Sequence, residues 1–172
     1  MKNLKLFSVF AFLLIGTISL SAQDFGVVNL DEILNTYPAR INAEKELEGM
    51  VRTHQTKIQE KQNSLQAIED FVKSKTEGKS QAEIQAIMPE LESKQQEYFT
   101  KQQEIVDYQQ AAAKEVADRE EALMAPIETS IRNSINKVAQ SKGLKYVMEK
   151  SQLLYSNGLD ITADVKADLG IK

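Results

Sequence analysis

Two stretches of the chain repeat their apolar positions at helical spacing. In the first, Val51, Ile58, Leu65 and Val72 lie seven residues apart, with Leu47, His54, Lys61 and Ile68 between them. In the second, Leu91, Tyr98, Ile105 and Ala112 recur by seven, interleaved with Gln95, Gln102, Gln109, Val116 and Leu123. Such heptads predict two long helices that coil around each other with a left-handed twist. The first is expected from Ala39 to about Thr76, with Pro38 suited to its opening position. Glu77-Gly-Lys-Ser80 reads as a turn with Gly78 as the C-terminal cap. Ser80 and Glu83 have capping-box spacing and start the return helix. Pro89 restarts or kinks that helix, and the pattern then stays helical to about Ser141, interrupted only by Pro126. The seam is half polar, because a histidine, a lysine and three glutamines hold positions that a stable coiled coil fills with Leu or Ile. On periodicity alone this is a coiled-coil spacer that holds together but flexes.

The ends of the chain carry a different pattern. Phe25–Leu30 reads as a short strand and Asp31–Leu34 as one helical turn. Tyr146–Met148 and Leu153–Tyr155 are two further strand candidates. Asn157-Gly158 is a turn, and Asp160 is placed to cap a last small helix through Leu169. Ile127, Ile131, Ile135 and Val138 form a continuous apolar stripe on the second helix. With Phe25, Val27, Leu30, Ile33, Leu34, Val147 and Leu154 they are the expected core of a small body, from which the hairpin projects. The fold class is therefore α+β and mostly α, a small β-body with a long antiparallel helical hairpin. Residues 23–38 and 126–172 are assigned to the body and 39–125 to the hairpin arm. A body of about sixty residues is marginal alone, and short strands leave edges that accept partners. Both favour oligomerisation through the body.

The first 22 residues are read as an address rather than as structure. Lys2 and Lys5 precede an apolar run from Leu6 to Ile18, and Ser19-Leu-Ser-Ala22 follows before Gln23. This is the layout of a secretory signal peptide cleaved near Ala22, too short to span a membrane. The mature chain is expected to work outside the cytoplasm without stable membrane insertion, and it keeps 19 basic and 25 acidic side chains.

Composition removes most chemistry. The 172 residues contain no Cys, one His and 7 Gly, which excludes disulfide scaffolds, thiolate metal sites and His clusters. No phosphate-binding, dinucleotide or zinc-protease motif is present. No catalytic residue, cofactor or metal is expected, and His54 reads as a partly packed helix residue. Residues 39–125 hold twelve bases and seventeen acids, so the hairpin carries a net charge of −5. That argues against a nucleic-acid or anionic-lipid surface.

The opening Phe25-Gly-Val-Val-Asn-Leu-Asp-Glu-Ile-Leu-Asn-Thr-Tyr-Pro38 and the closing Tyr146-Val-Met-Glu-Lys-Ser-Gln-Leu-Leu-Tyr155, Asp160-Ile-Thr162 and Val165 flank the charged hairpin. In that order, after a signal peptide, they resemble the Skp/OmpH family of periplasmic chaperones over nearly the whole mature chain. The resemblance implies a homotrimer whose central β-body carries three helical arms around a cavity. It also implies an ATP-independent holdase whose partners are unfolded outer-membrane β-barrel proteins. Seam residues not needed to zip the helices are the client-contact candidates: Ile58, Leu65, Val72, Leu91, Tyr98, Phe99 and Ile105. The acidic hairpin departs from the basic arms of the best-known members. The alternative is an envelope coiled-coil scaffold or adaptor that binds one folded partner.

Overall fold

The computed structural model describes residues 25–171, so the signal-peptide reading lies outside the described residues. Strand β1 (Phe25–Val28) leads into a short helix α1 (Leu30–Thr36), and α2 follows over Pro38–Thr76. A short α3 (Gln81–Ala86) precedes the long α4 (Met88–Ser141). Strand β2 (Tyr146–Glu149), a 3₁₀ turn (Lys150–Gln152), strand β3 (Leu159–Asp160) and helix α5 (Thr162–Asp168) complete the chain. These elements divide into two compact units. One is a sheet unit made of the described residues up to Ile33 and from Arg132 onward; the other is a helical unit, Leu34–Ile131. Helix α4 contributes residues to both.

Local chemistry accounts for the helix boundaries. Pro38 occupies the first turn of α2, where its missing N–H costs nothing. At the far end the Glu77 N–H bonds to the Lys73 carbonyl, and Gly78 follows in the left-handed region at φ 72°. Ser80 and Glu83 form a full capping box: the Ser80 hydroxyl accepts from the Glu83 N–H, and the Glu83 carboxylate accepts from the Ser80 N–H. Glu83 is accordingly held below the usual carboxylate range, first by the Ser80 hydroxyl. The helix breaks at Ile87 and restarts at Met88, with Pro89 in the new first turn. Pro126 does not interrupt α4, which runs through it as one helix of 54 residues. That length corresponds to about 80 Å at 1.5 Å per residue.

The sheet is parallel, in order β2-β1-β3. Phe25 pairs with Tyr146 and Val28 with Glu149 on one side of β1, while Gly26 pairs with Leu159 and Val27 with Asp160 on the other. The expected strand at Leu153–Tyr155 does not form: Leu153 ends the 3₁₀ turn, and β1 takes Leu159–Asp160 as its second neighbour. Glycine at 158 permits this, since a Cβ there would lie 3.1 Å from the Phe25 carbonyl oxygen. The core of the sheet unit is Val27, Val28, Ile33, Val138, Ile161, Val165 and Ile171, all buried. Side chains satisfy the surrounding backbone. The Leu30 N–H donates to Glu149 Oε2 at 3.0 Å and the Asn29 N–H to Thr162 Oγ1 at 2.9 Å. Buried Ser134 donates to the Val165 carbonyl at 3.3 Å. Asp160 accepts from both the N–H and the hydroxyl of Thr162 at the start of α5. It also pairs with Lys150 at 2.8 Å.

Of the residues expected in the body core, Val27, Ile33 and Val138 are buried in the sheet unit, while Leu30, Ile135 and Val147 are half-buried. Ile127 and Ile131 are buried too, but in the helical unit, which also holds half-buried Leu34. Phe25 and Leu154, expected in a core shared between copies of the chain, are 53% and 109% exposed and lie outside the protomer's own core. Phe25 stacks on Tyr146, ring centroids 5.1 Å apart, at the strand end, and Leu154 lies in the loop that replaces the expected strand. Ile161, Val165 and Ile171 fill the core instead.

Candidate functional site

In the helical unit α2 and α4 run antiparallel, and the side chains that join them descend α4 as they climb α2. Glu46 accepts from Arg119 at 2.6 Å. The His54 Nδ1 and the Tyr108 hydroxyl share a hydrogen bond of 2.8 Å, and His54 Nε2 lies 3.7 Å from Glu115. Lys61 pairs with Glu104 at 3.3 Å, and Tyr98 donates to Glu69 at 3.0 Å. The Glu69 carboxylate raises the Tyr98 phenol above its ordinary range, and Glu46 does the same for the Arg119 guanidinium. The buried apolar residues in this unit are few: Ala43, Ile68, Ile105, Ala112, Ile127 and Ile131. Polar pairs thus fix the register, and a thin line of small and branched side chains supplies the burial.

The seam on α2 follows the expected heptads, with Leu47, His54, Ile58, Lys61, Leu65 and Val72 half-buried and Ile68 buried; Val51 alone is exposed. On α4 three of the five interleaved positions differ from expectation, while Val116 and Leu123 are half-buried. Gln95, Gln102 and Gln109 are exposed, and Lys94, Lys101 and Tyr108, one residue earlier in each case, are half-buried in their place. The physical reason lies in the stems. A lysine lays four methylenes along an apolar groove and keeps its ammonium in water, which a shorter glutamine amide cannot do as well. Lys94 sits 5.4 Å from the centre of the Phe71 ring and Lys61 sits 5.8 Å from that of Tyr108, so each ammonium also gains an aromatic face.

Where α2 ends and α4 begins, the seam opens into a groove of about 690 Å³. Ile68, Val72, Met88, Leu91, Tyr98 and Phe99 are its apolar lining, and Glu69, Lys73, Glu92 and Lys94 are the charged residues on it. The structure therefore brings four of the seven client-contact candidates together: Val72, Leu91, Tyr98 and Phe99. Ile58 and Leu65 lie further along α2 as half-buried seam residues. Ile105 is 9% exposed and is used up in the helix pairing. Ile68, a seam position left out of the client-contact candidates, and Met88, outside the heptad reading, also line the groove. Met88 had a readable signal, since it precedes Leu91 by one helical turn and shares its face.

A parallel three-stranded sheet with long antiparallel helices defines the class of protein. The family model described as outer membrane protein (OmpH-like) matches residues 24–169. The chain belongs to this OmpH-like family. Among solved structures, it is similar to a Caulobacter crescentus CB15 protein described as an outer membrane chaperone (OmpH-like). That likeness has a TM-score of 0.71 at 15% identity and covers 90% of this chain and 88% of the other. No curated protein matches the chain. Among the described residues no helix is long and apolar enough to cross a membrane.

Proposed function

We propose that the protein is an ATP-independent holdase chaperone of the periplasm that keeps outer-membrane β-barrel proteins unfolded and soluble. The observation that carries this reading is the incompletely closed seam of the helical unit. Ile58, Leu65, Val72, Leu91 and Tyr98 are half-buried, Phe99 is 59% exposed, and all are set among charges and amides. Each offers a client part of a side chain's burial, on the order of 1 kcal/mol at ~25 cal/mol per Å². Contacts this weak hold a chain only when many act together, and they release it without a fuel molecule. Membership of the OmpH-like family supports the same reading.

In this reading residues 1–22 direct export and are removed, 23–38 with 126–172 form the body of a homotrimer, and 39–125 is the client-binding arm. Assembly is supported by apolar surface that the sheet unit leaves uncovered. Phe25, Tyr146 and Met148 are 53%, 58% and 42% exposed, and Leu154 and Tyr155 stand almost wholly in solvent. Five large apolar side chains on so small a unit are the mark of an interface.

The test is aggregation of an unfolded outer-membrane β-barrel protein diluted from urea, with and without the mature chain. Suppression near stoichiometric amounts is expected. No suppression at a threefold molar excess of trimer overturns the reading. Light scattering at micromolar concentration is expected to give the mass of three chains.

A further inference from the structure

The groove at the α2–α4 end has dimensions that select an occupant. Along α4 it runs from Met88 to Phe99, twelve residues, whose eleven rises span about 16 Å of helix. In an extended chain, side chains on one face repeat every ~6.7 Å, so three of them cover about 13 Å. A helical occupant would need a broader trough than one whose floor is a single buried Ile68. The walls are apolar and open: Met88 and Phe99 are 43% and 59% exposed, and Phe99 meets Tyr98 edge to face, centroids 6.1 Å apart.

Charge narrows the choice. On the lining, Glu69 and Glu92 balance Lys73 and Lys94. Glu69 is engaged by the Tyr98 hydroxyl, and Lys94 by Glu97 at 2.7 Å. The groove itself is thus electrically neutral and accepts uncharged side chains. Its surroundings are not neutral, because residues 39–125 carry a net −5. A chain that enters the groove with acidic flanks is repelled, and one with basic flanks is attracted.

We propose that this groove is a discrete site for a five-residue extended segment with apolar or aromatic side chains at its first, third and fifth positions and basic flanks. The inference deepens the holdase reading and rests on it for the nature of the client. Three fluorescein-labelled peptides of equal length test it by anisotropy at low salt on the full mature chain. One has alternating apolar residues with lysine flanks, one has the same core with glutamate flanks, and one has the lysine flanks with its three apolar residues in a row.

The lysine-flanked alternating peptide is expected to bind at least tenfold tighter than each of the others. Met88→Ser with Phe99→Ser should remove that preference. Both residues are exposed, so helix content by circular dichroism should not change. Equal affinity for the alternating and clustered peptides overturns the proposal, as does a preference that survives the double variant. A double variant that changes the protein's oligomeric mass, with no peptide bound by the wild type, assigns the groove to a second copy of the chain and also overturns it. Aggregation suppression is read in parallel. A wild type that suppresses aggregation without peptide preference loses the groove and keeps the holdase reading. One that shows the preference without suppression keeps the groove as a peptide site and loses the holdase reading.

Discussion

Gly49 and Gly78 form a pair in which one substitution has opposite signs. Gly49 lies inside α2 and Gly78 just beyond its end. At both positions a Cβ would meet no atom within 4 Å, so alanine adds no contact and no clash with a neighbour. What differs is the backbone. Gly49 is in the helix interior, where glycine is worse than alanine by about 1 kcal/mol because it surrenders more conformational freedom on folding. Gly78 holds φ 72°, where an L-residue pays about 1–2 kcal/mol for crowding its Cβ against the carbonyl. Gly49→Ala is therefore expected to stabilise the helical unit by about 1 kcal/mol, and Gly78→Ala to destabilise its turn by about 1–2 kcal/mol. Urea unfolding followed at 222 nm reads both, with unchanged slopes showing that the unfolded states are comparable. For a chain of this size, 1 kcal/mol also moves the thermal midpoint by about 2–4 °C. A Gly49→Ala protein that is no more stable than the wild type refutes the reasoning, because nothing else in the surroundings of Gly49 opposes a methyl group.

Three further outcomes are expected. Asp160 is held at about 2 against an ordinary 3.8, chiefly by Lys150 and then by Thr162. Because its folded value is depressed, its contribution is complete above pH 4 and is lost as pH falls towards 2. With the side chain 41% exposed, screening limits this to about 1 kcal/mol, so wild type and Asp160→Asn should converge in stability across that window. Leu154→Ser with Tyr155→Ser should lower the mass seen by light scattering to that of a single chain while leaving the circular dichroism spectrum unchanged, since neither side chain is in the protomer core. Leu65→Ala, at a half-buried seam position, should cost the helical unit about 1–2 kcal/mol, below the usual range for a core leucine, and leave assembly intact, as read by urea unfolding and light scattering.

The helices were legible because their signals are local. Proline at the start of α2, glycine past its end and the Ser80–Glu83 capping box each act within four residues, and each is found where its chemistry requires. The heptad of α2 was legible for the same reason. On α4 only the three glutamine positions were misread, because a polarity pattern scores Lys94 and Lys101 as surface. Only the position of α2 shows that both are half-buried, Lys94 over the Phe71 ring, while the neighbouring glutamines face water. The candidate site was legible in part. Val72, Leu91, Tyr98 and Phe99 converge, but Ile105, equally apolar and equally periodic, is consumed by helix pairing.

The sheet marks the boundary between the two kinds of information. By itself, the sequence determined that strands lie within Phe25–Leu30 and around Tyr146–Met148, that two long helices separate them, and that no catalytic motif is carried. It offered Leu153–Tyr155 as the third strand on the strength of its β-prone side chains. Tertiary structure decided otherwise. Strand β1 has two edges, β2 holds one, and the other goes to the segment whose glycine at 158 lets the backbones approach. Leu154 and Tyr155 are left in solvent by that choice. Helix caps and periodicity depend on neighbours in the chain. Strand partnership and the supply of exposed apolar surface depend on which distant segment reaches an open edge with the better fit, and that is settled only when the whole unit packs.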